Sequence, residues 1–222
     1  MKCIIMGASD TPYAHGAFLY ELHFDNSYPQ KPPKCSLATT GGGTVRFNPN
    51  LYANGYVCLS LLGTWRSNSK TENWDPKLSS TLQILLSIQA IVLSNEVFFN
   101  EPGQEQTMGT PFGESQNNGY CNIIRYCNVK FAMIDMIKNP PVGYEKVVRG
   151  NFYLKKNVIL RDVKKWVDEA ENVEATYLDL VSYHNQSWAT LFQTKGKYAE
   201  MMKEIYEELK TTLEELPSPF ED

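Results

Sequence analysis

Phe47-Asn48-Pro49-Asn50-Leu51-Tyr52-Ala53-Asn54-Gly55-Tyr56-Val57-Cys58-Leu59 is the stretch that decides how the rest of the chain is read. It mixes proline, asparagine and glycine and keeps neither a helical nor a strand period, so it forms a structured irregular segment running on to Leu62. Segments of that kind, held on a regular scaffold, often carry function. Its cysteine, Cys58, has two readings. A free thiol behaves as a small buried hydrophobe and fills cores, and as a thiolate it is a nucleophile.

Towards the N-terminus the pattern is that of strands. Lys2 to Met6 is short and β-favourable, and Ala17 to Phe24 alternates so that Phe18, Tyr20, Leu22 and Phe24 share one face. The turn formers from Gly7 to Pro12 connect them as a hairpin. Tyr28-Pro29-Gln30-Lys31-Pro32-Pro33 is an extended surface loop, because proline donates no ladder hydrogen bond. A third strand is expected at Lys34 to Thr39, ended by Gly41-Gly42-Gly43.

Towards the C-terminus the period becomes helical. Leu82, Leu85, Leu86, Gln89, Val92 and Leu93 line one face of a helix, and Ser80 with Gln83 forms a capping box at its start. A second helix is expected from Asn122 to Lys138, with Ile124, Cys127, Phe131, Ile134 and Ile137 on its buried face and Asn139-Pro140-Pro141 as its stop. Leu154, Val158, Ile159, Val163, Trp166 and Val167 make a third amphipathic stretch. Met202, Ile205, Leu209 and Leu213, closed by Pro217, make a fourth. Strands first and helices after imply an α+β fold.

Composition limits the function. The chain has 222 residues, 42% of them hydrophobic and 21% charged, with a formal net charge of -4. No Lys/Arg run gathers on one segment, so nucleic acid is not expected as a partner. The apolar run inside Leu82 to Leu93 is too short and too interrupted to cross a bilayer, so no membrane role is expected. The start, Met1 to Ala8, lacks the features of a signal peptide, and the expected location is cytoplasmic or nuclear, with free thiols. Five cysteines without a CxxC pair, and three histidines, fit neither a disulfide framework nor a metal site. No metal and no cofactor is expected.

Several ordered motifs together resemble the ubiquitin-conjugating enzyme family. Asn48-Pro49-Asn50, with Cys58-Leu59 eight positions on, is similar to that family's His-Pro-Asn to Cys-Leu signature, with Asn48 where His is usual. Asp10-Thr11-Pro12-Tyr13 with Gly16 resembles its hairpin motif, and Tyr28-Pro29 with Lys31-Pro32-Pro33-Lys34 resembles its proline loop. Trp74-Asp75-Pro76 resembles the Trp-x-Pro before the helix that follows the active site. The likeness covers roughly Gly7 to Ile137. Thr39-Thr40-Gly41-Gly42, Gly63-Thr64-Trp65, Phe99-Asn100-Glu101-Pro102-Gly103 and Phe152-Tyr153-Leu154-Lys155 look like the family's large inhibitor-of-apoptosis branch.

The resemblance implies a ubiquitin-conjugating (UBC) fold, an antiparallel meander sheet packed on helices, with residues 1–140 as catalytic core and 141–222 as a C-terminal helical extension. The family's first helix and first strand are expected to be missing from this chain. It also implies a carrier of ubiquitin or a ubiquitin-like modifier, loaded by an activating enzyme and discharged to lysines of protein substrates, with or without a ligase. Gln30 stands where many members present a large apolar residue to ligases, which favours substrate selection by the chain itself.

Such chemistry needs a nucleophilic thiolate, and a thiol of pKa about 8.5 supplies a few per cent of it at neutral pH without a strong base. Cys58 is the implied thioester nucleophile. Asn50 is implied as oxyanion donor or as support for the surrounding loop, against the plainer reading of a turn residue after Pro49. An acceptor lysine must shed a proton and its hydration, which calls for an acidic group at the mouth of the site. Glu101 is the implied candidate, against simple surface solvation. Trp65 and the Arg66 to Asn73 insertion flank the cleft or form a solvated loop. Two rival readings remain: a non-catalytic UBC-like module that binds ubiquitin or a ligase, and a thiol hydrolase with a distant histidine folded back onto Cys58.

Overall fold

The computed structural model describes residues 1–65, 73–173 and 197–219. Strands β1 (Lys2–Met6), β2 (Ala17–His23) and β3 (Lys34–Leu37) form an antiparallel sheet in the order β1-β2-β3. The register pairs Ile4 with Leu19 and Leu22 with Cys35. Phe18, Tyr20 and Leu22 are buried as expected, and Leu19 on the opposite face is buried too. Phe24 is a correction: it lies beyond the strand and stacks edge-on against Tyr28, with ring centroids 5.0 Å apart. β3 is shorter than its pattern because the Leu19 amide donates to the Thr39 hydroxyl at 2.9 Å rather than to a ladder carbonyl.

The β1–β2 connection turns inward. Tyr13 is fully buried and its hydroxyl donates to the Phe47 carbonyl at 2.7 Å. Gly16 permits this approach, since a Cβ there would stand 1.9 Å from Asn128 Oδ1. Asn128 in turn donates to the Pro12 and Ala14 carbonyls at 3.1 and 3.0 Å. The hairpin loop is thus fastened to the helical layer by side-chain hydrogen bonds that satisfy its buried main-chain carbonyls.

Helix α1 (Thr81–Ser87) starts at the expected capping box: the Gln83 amide donates to Ser80 Oγ at 3.3 Å, and the Ser80 amide to Gln83 Oε1 at 2.7 Å. It continues as a π-helical turn over Ile88–Val92. Its buried face corrects the reading from sequence. Ile84, Ile88, Val92 and Leu93 are buried, while Leu82 and Leu86 are 63% and 51% exposed and Gln89 is exposed. Two apolar stripes overlap in Leu82 to Leu93, and periodicity alone cannot choose between them. The π turn, with the Leu93 amide donating to the Ile88 carbonyl at 2.9 Å, keeps the buried stripe facing inward.

Helix α2 (Pro111–Cys127) begins eleven residues before the expected start. Thr110 caps it, accepting from the Gly113 amide at 3.1 Å, with Pro111 in the first position. The polar and glycine-rich first turns hid this helix. They are polar because Asn117 serves the preceding loop, accepting from the Phe98 amide at 3.0 Å and donating to the Asn95 carbonyl at 2.9 Å. A π-helical stretch over Asn128–Ile134 and helix α3 (Asp135–Lys138) carry the same rod on. Its interior face includes Ile124, Cys127 and Ile134 as expected.

Helices α4 (Glu145–Ala170) and α5 (Lys197–Glu214) pack against each other, and α5 lies on the π-helical stretch of the rod. All four residues expected to be buried in α5, Met202, Ile205, Leu209 and Leu213, are buried. In α4 the expected Leu154 and Val158 are exposed instead, and Val148 and Phe152, each six positions earlier on the adjoining stripe, take their place in the core. Among the described residues, no helix is long and apolar enough to cross a membrane.

Candidate active site

Asn48 organises the segment from which the site is built. It is fully buried, and its Oδ1 accepts from the Asn50 amide at 2.8 Å, closing a tight turn around Pro49. Its Nδ2 donates to the Val92 carbonyl at 2.9 Å and to the Tyr13 hydroxyl at 3.3 Å. Asn50 follows, and its carbonyl accepts from the Cys58 amide at 2.9 Å. The chain between them loops out through Gly55, whose φ of 86° suits glycine.

Cys58 is 6% exposed and sits at the entrance of a short 3-10 turn, Ser60–Leu62, that Gly63 ends in the left-handed region. Thr64 closes this corner. Its hydroxyl accepts from the Leu59 amide at 2.8 Å and donates to the Val57 carbonyl at 2.9 Å, and its carbonyl accepts from the Cys58 thiol at 3.1 Å. Burial pushes the Cys58 thiol up; the Arg46 guanidinium and the Thr64 hydrogen bond offset part of that rise.

The sulfur faces a groove of about 970 Å³, and the structure brings Cys58, Asn50 and Glu101 together on its walls. Glu101 follows the 3-10 turn Phe98–Asn100, its amide donating to the Phe98 carbonyl at 3.1 Å. Its carboxylate Oε2 lies 3.4 Å from Arg46 Nη2. The Asn50 side-chain oxygen is buried and has no hydrogen-bond partner among the described residues. Trp65 also lines the groove, while Arg66 to Glu72 of the expected insertion lie outside the described residues. The proline loop is tied alongside by Trp74, whose Nε1 donates to the Pro29 carbonyl at 2.7 Å.

The other four cysteines are away from this groove. Burial pushes Cys35 and Cys121 up to about 12 and Cys127 further still, and it raises Cys3 as well. No histidine lines the groove among the described residues: His15 pairs with Asp162 at 3.0 Å, and His23 lies on β2. A cysteine assisted by either of those histidines is therefore not what this site presents.

Two residues of the site had no assigned role in the sequence. Thr64 lay inside a matched motif, and only a Thr six residues after a cysteine marked it. Arg46 immediately precedes the Phe47 to Leu59 stretch, and a basic residue between Val45 and Phe47 was its signal.

The chain matches the family described as ubiquitin-conjugating enzyme over residues 1–127. It is 39% identical over 219 residues, 99% of its own length, to the dual ubiquitin-conjugating enzyme and ubiquitin-protein ligase BIRC6 of Homo sapiens. It is 44% identical over 178 residues, 80% of its length, to a probable ubiquitin-conjugating enzyme of Acanthamoeba polyphaga mimivirus. It is 40% identical over 172 residues, 78% of its length, to probable ubiquitin-conjugating enzyme protein 17 of Caenorhabditis elegans. The matches span 4%, 12% and 23% of those relatives, so the chain corresponds to a small part of each.

Proposed function

The chain belongs to the ubiquitin-conjugating enzyme family, and from that premise we propose that Cys58 accepts ubiquitin, or a ubiquitin-like modifier, as a thioester from an activating enzyme and passes it to substrate lysines. The observation that carries this reading is the meeting of Cys58 with Asn50 and Glu101 on one open groove, while the other cysteines lie elsewhere.

In the loading step the Cys58 thiolate attacks the carbonyl carbon of the incoming thioester, and the departing thiolate takes the electron pair of the broken C–S bond. In the discharge step a lysine amine forms the C–N bond, and the C–S bond breaks with its pair on Cys58 Sγ. Asn50 serves as the amide that stabilises the tetrahedral oxyanion, a contribution of typically about 10²- to 10³-fold in rate, or as support for the loop around it. Glu101 offers a carboxylate to the incoming ammonium. On this reading the chain works in the cytoplasm or nucleus, with the activating enzyme and protein substrates as partners.

The test is to incubate the protein with activating enzyme, ATP and ubiquitin and to resolve the products with and without reductant, beside Cys58→Ser. A reductant-sensitive adduct that turns reductant-resistant or vanishes in the variant supports the reading. Absence of any adduct from folded protein would count against the reading and leave two options, an enzyme that needs a further N-terminal segment for loading or the non-catalytic binding module. Restoring such a segment and repeating the assay would separate them.

A further inference from the structure

Arg46 is buried, its side chain 6% exposed, and one of its partners, Glu101, lines the Cys58 groove. Nη2 donates to the Pro49 carbonyl at 2.5 Å, one residue before Asn50, and stands 3.4 Å from Glu101 Oε2. The guanidinium carbon lies 4.4 Å from the centroid of the Tyr52 ring. The main chain is held as well, because the Arg46 carbonyl accepts from the Tyr120 hydroxyl at 3.3 Å. Burying a cation is unfavourable unless it is matched, so this placement is a specific feature of the cleft.

The charges around the groove explain what such a cation does. Among the described residues, the charged side chains lining it are the carboxylates of Asp75, Glu101 and Glu105. By themselves they oppose negative charge on the Cys58 sulfur and on a tetrahedral oxygen. Arg46 stands behind that acidic wall, bound to one of its carboxylates and to the turn that carries Asn50.

We propose that Arg46 is a positioning residue of this site: it clamps the Asn50 turn through the Pro49 carbonyl, fixes Glu101 at the cleft wall, and supplies the positive field beside Cys58. The proposal rests on the thioester reading above. In discharge the amine lone pair forms the C–N bond, the C–S bond breaks with its pair on Sγ, and the amine's proton passes to water. A cation near sulfur favours that departure, and equally favours the thiolate that takes up the next modifier. Nη2 meets both the Pro49 carbonyl and Glu101 while the flat guanidinium lies over the Tyr52 ring, a planar, stacked placement that a lysine ammonium on a flexible stem does not reproduce.

The experiment uses the full chain carrying Arg46→Met, Arg46→Gln or Arg46→Lys. Iodoacetamide labelling of the Cys58 peptide is followed from pH 7 to 11, with thermal melting as a control for folding. The neutral variants should move the labelling midpoint upward by about one pH unit, about tenfold slower labelling near neutral pH. Arg46→Lys should keep the wild-type midpoint but discharge a preformed thioester to free lysine more slowly, because the clamp is gone. A folded neutral variant with an unmoved midpoint overturns the proposal. So does loss of folding in both neutral variants while Arg46→Lys folds normally, which assigns Arg46 to structure alone. Labelling requires no ubiquitin, so a moved midpoint in a protein that forms no thioester counts against the conjugation reading and leaves the field of Arg46 standing.

Discussion

The Asn48 side-chain amide donates to the Val92 carbonyl at 2.9 Å and so joins the turn before Asn50 to the π-helical end of α1. Helix ends leave carbonyls without intrahelical donors, and this one is supplied from the site. The same amide donates to the Tyr13 hydroxyl at 3.3 Å and accepts from the Asn50 amide at 2.8 Å and Asn100 Nδ2 at 3.4 Å. Two donors and two acceptors are all used, which an imidazole with two ring nitrogens does not match. Asn48 therefore replaces the family's usual histidine with a group that reaches more partners.

Asn48→Ala leaves the Val92 carbonyl and the Asn50 amide without this partner, while the Tyr13 hydroxyl keeps its bond to the Phe47 carbonyl. Each such group costs about 1–3 kcal/mol, so a loss of about 3 kcal/mol is expected in urea unfolding. A loss below about 1 kcal/mol would mean that the neighbouring elements hold the turn without the amide.

Thr64→Val keeps the shape of the side chain and removes the hydroxyl that the Leu59 amide and the Val57 carbonyl share. The expected result is a stability loss of about 1–2 kcal/mol together with slower formation of the Cys58 thioester, because the corner that holds the sulfur loosens. Thr64→Ser, which retains the hydroxyl, should restore both in melting and single-turnover loading assays. Equal defects in the two variants would assign the role to the methyl group.

Much of the fold was legible in local chemistry. β1 coincides with its β-favourable run and α1 starts at its capping box, because those signals are contained within a few residues. The start of α2 was hidden because its first turns take their polar residues from long-range needs, with Asn117 serving residues 95 and 98. The site divides in the same way. Cys58, Asn50 and Glu101 carry recognisable neighbours in sequence, whereas the role of Arg46 depends on a Glu101 contact across 55 positions that no spacing encodes.

The two stripes of α1 give opposite expectations for substitution. Ile84→Ala or Ile88→Ala removes a fully buried side chain and should cost about 2–5 kcal/mol in denaturant unfolding. Leu82→Lys with Leu86→Lys alters exposed positions and should leave stability within about 1 kcal/mol. Large destabilisation by the lysine pair would place that stripe, rather than the isoleucines, against the core.

Asp162 joins the β1–β2 loop to α4. Its Oδ2 pairs with His15 Nε2 at 3.0 Å, and its Oδ1 receives Arg161 Nε at 3.0 Å and Lys165 Nζ at 3.2 Å. Arg161 holds the carboxyl well below the usual carboxylate range; burial opposes this, and His15 and Lys165 add to it. A carboxylate with a depressed pKa contributes stability that is complete above its unfolded value of about 3.9 and is lost as pH falls towards the folded value. The gap in melting temperature between wild type and Asp162→Asn should therefore narrow as pH falls below about 4 and close well below it. The gap should be modest, because Arg161 and Lys165 are exposed and pairs of that kind contribute about 0–1 kcal/mol each. Raising the salt concentration should shrink the part due to those two cations and spare the half-buried His15 contact. A gap that widened from about pH 4 downward would locate the link between loop and helix in a group other than this carboxylate.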